Sequence, residues 1–178
     1  MKIIFEAHST TTDNEANLAS GWNDVDLSEL GVRQSIELMQ RSLSRGLVAI
    51  VCSDSQRAVK SGIPTANALH IPMYPDQRLR ECNYGDFTQK PKAEVEAQKL
   101  LRIAEPFPNG ESYNQCIDRV KACIEWMKQT FEDNDTLMVI GSRATHYGLD
   151  SVINNGKPLE ESIAEGFTWQ PGWEYELG

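Results

Sequence analysis

The chain has 178 residues, 40% of them apolar and 24% charged, a balance ordinary for one soluble globular domain with a substantial core. Its 26 acidic residues outnumber 17 basic ones, and the net charge of −9 argues against a nucleic-acid partner, because phosphate-backbone affinity rests on clustered Lys and Arg. No apolar run approaches the roughly eighteen residues of a membrane span. No basic and apolar leader opens the chain, so no membrane partner and a cytoplasmic location are expected. Cys52, Cys82, Cys116 and Cys123 are scattered without a CxxC pair and read as reduced thiols; no metal site is assigned.

The opening run Met1-Lys2-Ile3-Ile4-Phe5 reads as a buried strand that delivers His8 to the polar stretch from Ser9 to Glu15. Ser28 is a helix N-cap, with Leu30, Val32, Ile36, Leu38 and Met39 as the apolar face, and Gly46 closes that helix. Leu47 to Cys52 is a near-continuous apolar run, as expected of a parallel strand covered on both faces. Ser53-Asp54-Ser55 then caps a helix carrying Arg57, Ala58 and Ala66, which Pro64 is expected to kink or interrupt. From about 70 to 108 the chain is polar and proline-punctuated, with helix around Ala93 to Ile103; it reads as an insertion above the sheet within a single domain spanning 1–178. Glu111 to Phe131 forms a long amphipathic helix with Ile117, Val120, Ile124 and Met127 inward. Thr136 to Ile140 is a third buried strand, followed by a helix from about Ala144, and the aromatic-rich tail Gly166 to Leu177 suggests strand around a Pro-Gly turn. Strands alternating with helices imply a three-layer α/β/α sandwich with a mostly parallel sheet.

Three strand-to-loop junctions share one character: His8, the Ser53 to Arg57 segment, and Ser142-Arg143. In open α/β sheets ligands sit at the carboxyl ends of strands, so chemistry is expected there. At these residues the chain resembles the histidine phosphatase superfamily, which includes the phosphoglycerate mutases. Ala7-His8-Ser9-Thr10-Thr11 and Asn14 stand in the place of its Arg-His-Gly-Glu-Thr…Asn motif. Gly21-Trp22-Asn23-Asp24-Val25-Asp26-Leu27-Ser28-Glu29-Leu30-Gly31 is similar to its Gly-Trp-x-Asp-x-x-Leu-[Ser/Thr]-x-x-Gly block. Cys52 to Ala58 is similar to its Ser-Ser-Asp-x-x-Arg-Ala segment, Leu79 to Phe87 to its Leu-x-Glu-x-x-x-Gly-x-[Trp/Phe] segment, and Asn109-Gly110-Glu111-Ser112 to its Gly-Gly-Glu-Ser. Val139-Ile140-Gly141-Ser142 falls where the family carries a strand ending in its second catalytic histidine. The matches are loose singly; their shared order over nearly the whole chain carries the resemblance.

What the resemblance implies is a phosphoglycerate mutase-like fold and phosphoryl transfer to histidine, with no cofactor. His8 would be the nucleophile, its neutral form supplied by an ordinary pKa near 6.5. Arg57 and Asn14 would bind phosphoryl oxygens, and Glu81 would protonate the leaving alkoxide and then activate water. Gly21, Trp22 and Tyr84 would contact the substrate. Outside that order Arg57 reads as a surface cation, Glu81 as a solvated carboxylate, and Asn14 as a turn cap. The partner implied is a small phosphorylated substrate; a homodimer is left open.

Three positions depart from the pattern. Ala7 replaces the family's phosphate-binding Arg, Thr10 its usual Glu, and Ser142 its second histidine. Ser142 offers one neutral donor where a catalytic imidazole is expected, and loss of such a donor costs on the order of a hundred- to a thousandfold in rate. Arg143 is expected either to turn into the pocket in compensation or to be solvated, and His146 to lie on a helix surface. The leading expectation is therefore a phosphatase of a small metabolite, impaired at Ser142 by an introduced or natural substitution. The alternatives are a non-catalytic phosphate-ligand binder and a repurposed enzyme using His8 and Glu81 for acid–base chemistry on another substrate.

Overall fold

Alternation along three strands builds the molecule. A computed structural model describes residues 1–153 and 157–178. In β1 (Lys2–Ala7), β2 (Leu47–Ser53) and β4 (Thr136–Gly141), Ile4, Ile50, Cys52, Met138 and Ile140 point to one face of a sheet. Ile3, Phe5, Ala49, Val51, Leu137 and Val139 point to the other. Both sets are buried at period 2, so each face needs a cover. The helices α2 (Glu29–Ser42) and α3 (Gln56–Leu69) bring Leu38, Ala58 and Ala66 to the first face. On the second, α5 (Tyr113–Thr130) and α6 (Arg143–Ile153) bring Val120, Cys123, Ile124, Met127 and Leu149. The result is the expected α/β/α sandwich.

The sheet order is β3-β2-β4-β1-β5. Strands β1 and β4, β4 and β2, and β2 and β3 (Met73–Asp76) pair in parallel. The tail strand β5 (Trp173–Glu176) pairs antiparallel with β1 from Phe5↔Trp173 to Lys2↔Glu176. Because β1, β2 and β4 run the same way, their last residues Ala7, Ser53 and Gly141 end at one edge of the sheet. The His8 amide donates to the Gly141 carbonyl at 2.9 Å, which joins two of the three junctions directly.

Several sequence expectations need correction. In α2 the buried residues are Gly31, Ser35, Leu38 and Ser42, whereas Leu30, Val32 and Ile36 are exposed. The rotation of α2 is set at its start: Ser28 caps Gly31, and a Cβ on Gly31 would lie 2.0 Å from the Thr10 carbonyl oxygen. The small-residue face therefore packs close, and the apolar stripe turns outward. Helix α3 runs through Pro64 without interruption, because its buried face spans Arg57 to Ala66 on both sides of that residue. The 70–108 segment does not lie wholly above the sheet. Its residues Met73–Asp76 add the edge strand β3, and the helix within it, α4 (Lys92–Gln98), is shorter than expected.

Beyond β3 the segment forms two short 3-10 turns, Gln77–Leu79 and Gly85–Phe87, before α4. Cys82, Tyr84, Val95, Phe107, Tyr113 and Tyr147 make a separate apolar cluster there, with Leu159 and Ile163 of α7 (Leu159–Glu165). Its rings meet edge to face, Tyr84 to Phe107 at 5.2 Å and Phe107 to Tyr113 at 6.2 Å. This cluster supports the loop that carries Glu81. Ser112 Oγ caps α5 by accepting the Gln115 amide, and the Ser112 amide donates in return to Gln115 Oε1, a capping box that fixes where the long helix begins. All four cysteines are free and buried.

Candidate active site

Above the junctions lies a cavity of about 200 Å³. His8, Asn14, Arg57, Glu81, Ser142 and Arg143 all line it, with Ala7, Gly21 and Tyr84. Strand β1 delivers His8; the short helix α1 (Thr12–Glu15) carries Asn14; the first turn of α3 carries Arg57; the start of α6 carries Arg143.

The His8 Nδ1–H donates to the Ser9 carbonyl at 2.9 Å, which assigns the proton to Nδ1 and leaves Nε2 with a bare lone pair. Burial, and secondarily the Arg57 charge, pull the His8 pKa from 6.5 down to about 3, against the opposing effect of the Ser9 bond. The imidazole is thus neutral over a far wider range than its ordinary value provides. The loop behind it is pinned: Ser9 N–H donates to Ser61 Oγ at 2.8 Å, and Thr10 N–H to Gln34 Oε1 at 2.8 Å.

Arg57 is 2% exposed. Its Nη1 donates to the Asn23 carbonyl at 3.0 Å and its Nη2 to the Gly21 carbonyl at 2.8 Å, while Nε has no partner among the described residues. Two carbonyls therefore fix the guanidinium plane and leave further N–H groups for an oxyanion. Burial lowers its pKa below the ordinary guanidinium value, opposed chiefly by the charges of Glu81 and Asp24. Asn14 both caps a short helix and lines the cavity. Its Oδ1 accepts the Thr11 amide in a cap of α1, and its amide nitrogen is left over at the cavity.

Glu81 is buried, with Oε1 accepting the Cys82 amide at 2.7 Å. Its backbone is held still more firmly. The Glu81 carbonyl accepts from Trp22 Nε1 at 2.8 Å and from Arg119 Nη2 at 2.9 Å. Arg119 also donates to the carbonyls of Arg78 and Arg80 and pairs with Glu111, whose other contact is the Asn83 amide at 2.8 Å. Burial and the Glu111 bond meet at this guanidinium, and the net effect is to raise its pKa above the ordinary value.

Trp22 does not line the main cavity. It sits behind Glu81, stacked under the Arg80 guanidinium at 4.9 Å, beside a smaller cavity of about 90 Å³. Its assignment as a substrate contact is corrected to a backbone clamp. Ser142 is 4% exposed, and its amide donates to Thr145 Oγ1 at 3.1 Å. Arg143 does face the cavity, held by Glu96 Oε1 at 2.5 Å and standing over the Phe167 ring at 5.8 Å. His146 is not on a helix surface: Trp173, Phe5 and Phe167 enclose it at 4.9, 5.5 and 5.8 Å, because pairing of β5 with β1 lays Trp173 over α6.

Leu18, Ala19, Ser20, Lys92, Val95, Glu96, Phe167 and Trp169 complete the lining and were not anticipated. They come from three separate segments, and only the aromatic density of the tail marked any of them. Among the described residues no helix is long and apolar enough to cross a membrane.

These observations agree with comparison to known proteins. The profile of the histidine phosphatase superfamily (branch 1) matches residues 3–161. A 2,3-bisphosphoglycerate-dependent phosphoglycerate mutase of Streptococcus gordonii is 29% identical over 176 residues, covering 88% of this chain and 76% of that protein. The mutase of Streptococcus agalactiae serotype Ia is 36% identical over 103 residues, where the match spans 55% of this chain and only 45% of the relative. Among solved structures, Bacillus stearothermophilus YhfR superposes with a TM-score of 0.83 at 21% identity, covering 97% of this chain and 89% of its own. A mycobacterial glucosyl-3-phosphoglycerate phosphatase with bound VO3 gives 0.79 at 21% identity, covering 92% and 86%. With that profile running from the first strand to the last helix but for the tail, the chain belongs to the histidine phosphatase superfamily, branch 1.

Proposed function

We propose that the protein is a phosphatase that hydrolyses a small phosphate monoester through a phosphohistidine on His8. The observation that carries this reading is the His8 ring itself: neutral, tethered at Nδ1, bare at Nε2, and facing a cavity shared with a clamped guanidinium. Nε2 attacks phosphorus as the bond to the ester oxygen breaks, and Glu81 gives its proton to the departing alkoxide. Arg57 and the Asn14 amide hold the equatorial oxygens. Water then gives a proton back to Glu81 and attacks phosphorus as the phosphorus–nitrogen bond breaks, releasing phosphate and restoring His8.

Hydrolysis fits the space better than a mutase reaction. A cavity of about 200 Å³ lies below the usual ligand range of about 300–1,000 Å³, leaving little room to turn a phosphorylated intermediate end for end. Ala7 and Ser142 weaken the site, since a missing charge-assisted contact is worth about 1.5–3 kcal/mol and a missing transition-state donor about a hundred- to a thousandfold. Those same two positions favour a second reading, a phosphate-ligand binder without turnover.

A panel of phosphate esters run on this chain and its Ser142→His variant separates the two. At least about a hundredfold gain in kcat/KM, with acid-labile phosphate recovered on His8, is expected of the phosphatase. Ligand binding without turnover in both proteins would refute it in favour of the binder.

A further inference from the structure

We infer that the leaving-group half of this cavity selects an aromatic alcohol, with Trp169 as the residue that sets the preference. The inference rests on the phosphatase reading of the site and adds what the phosphate is attached to.

The polar groups assigned to phosphoryl transfer stand on the strand ends. The remaining wall is of different chemistry. Leu18 and Ala19 face it from the loop after α1, Val95 from α4, and Phe167 and Trp169 from the segment between α7 and β5. Phe167 is fixed in place, tilted on Trp173 at 5.4 Å and edge-on to His146 at 5.8 Å. Trp169 is 58% exposed, so this ring gains little from folding and stands at the mouth with a face free to cover a ligand.

The charges on this side do not set the preference. Arg143 Nη1 is taken by Glu96 Oε1 at 2.5 Å, and Lys99 Nζ by Glu96 Oε2 at 2.9 Å, so two cations share one carboxylate that lines the cavity. Lys92 is a third cation and is solvent-exposed, which leaves it screened. What distinguishes this wall is its apolar surface: an aromatic ring on the ester oxygen meets Phe167, Trp169 and Val95.

The test compares benzyl phosphate with glycerol phosphate, two alkyl esters of similar leaving-group strength, using kcat/KM of the Ser142→His variant. Binding of inorganic phosphate, followed by thermal shift, checks the phosphate half on its own. Benzyl phosphate is expected to lead glycerol phosphate by about tenfold or more, and Trp169→Ala to cut that ratio by about two- to tenfold, the span of one aromatic pair. If inorganic phosphate binds but no ester turns over, the same ratio is read from the Kd values of the two esters. Equal or better use of glycerol phosphate, or a ratio untouched by Trp169→Ala, overturns the inference while leaving the phosphatase reading intact. Absence of both phosphate binding and turnover sinks the phosphatase reading, and this inference with it.

Discussion

A neutral His8 makes a prediction about stability as well as rate. The unfolded chain binds a proton on this imidazole near pH 6.5, while the folded ring resists until about pH 3. Between those values the unfolded state holds more protons, so stability rises with pH across the window and levels off above it. The slope approaches about 1.4 kcal/mol per pH unit, which puts the cost at about 2 kcal/mol by pH 5. Water reaching the cavity-facing edge of the ring discounts this to between about 1 and 2 kcal/mol. His8→Asn removes the titration while its amide nitrogen can still donate to the Ser9 carbonyl. Urea unfolding at pH 7.5 and pH 5 should therefore show wild type losing about 1–2 kcal/mol more than the variant. The wild-type His8 ring-proton NMR signals should stay unshifted from pH 8 to 4.5. Parallel stability losses, or an NMR midpoint near 6.5, would refute the reasoning and remove the case for a nucleophile poised as the free base. If it holds, an acid limb of kcat/KM above pH 4 belongs to the substrate, whose second phosphate ionisation lies near pH 6, and not to the nucleophile.

Glu81→Gln should lower kcat of the Ser142→His variant by about a hundred- to ten-thousandfold on esters with a poor alkoxide leaving group. The loss should be far smaller on an activated aryl ester that needs no protonation, and equal losses on both would deny Glu81 the proton-donor role. Gly31→Ala would force its Cβ to within 2.0 Å of the Thr10 carbonyl oxygen, so α2 must lift from the loop that follows His8. We expect about 1–3 kcal/mol of destabilisation by urea unfolding with phosphate affinity falling alongside, and a neutral substitution would show that this close packing is dispensable.

The sheet was legible in the sequence because its three central strands are short runs buried on both faces, and no helical period competes with them. The edge strand at Met73–Asp76 was not, since Tyr74 and Pro75 are exposed and its four residues carry no alternation. Helix α2 was found but rotated wrongly. Counting apolar residues pointed to Leu30, Val32 and Ile36, whereas contact with the Thr10 carbonyl, invisible in one dimension, decides which side faces in. The polar half of the site was readable because its residues, Glu81 on its loop apart, sit at strand ends or in the first turn of a helix, with neighbours of a recognisable order. The apolar half was unreadable for the converse reason: Leu18, Val95 and Trp169 have nothing in common except the space they enclose.

The block from Gly21 to Gly31 shows what a motif of this kind is for. Gly21 and Asn23 give their carbonyls to Arg57, and Gly21 takes a φ of +50° in a turn where a Cβ would crowd the Tyr84 ring at 3.1 Å. Trp22 reaches the opposite way to the Glu81 carbonyl. Asp24 accepts the Gln56 amide at 2.8 Å and so supplies the cap that Ser55 does not, fixing the first turn of α3 on which Arg57 stands. Ser28 and Gly31 seat α2 against the loop after His8. Six residues of this one short block thus set Arg57, Glu81 and the loop after His8 relative to one another. Of these, Gly21 alone lines the main cavity. The block is a frame: it places side chains around the cavity, whereas Ala7 and Ser142 line that cavity at the ends of β1 and β4 and take no part in the frame.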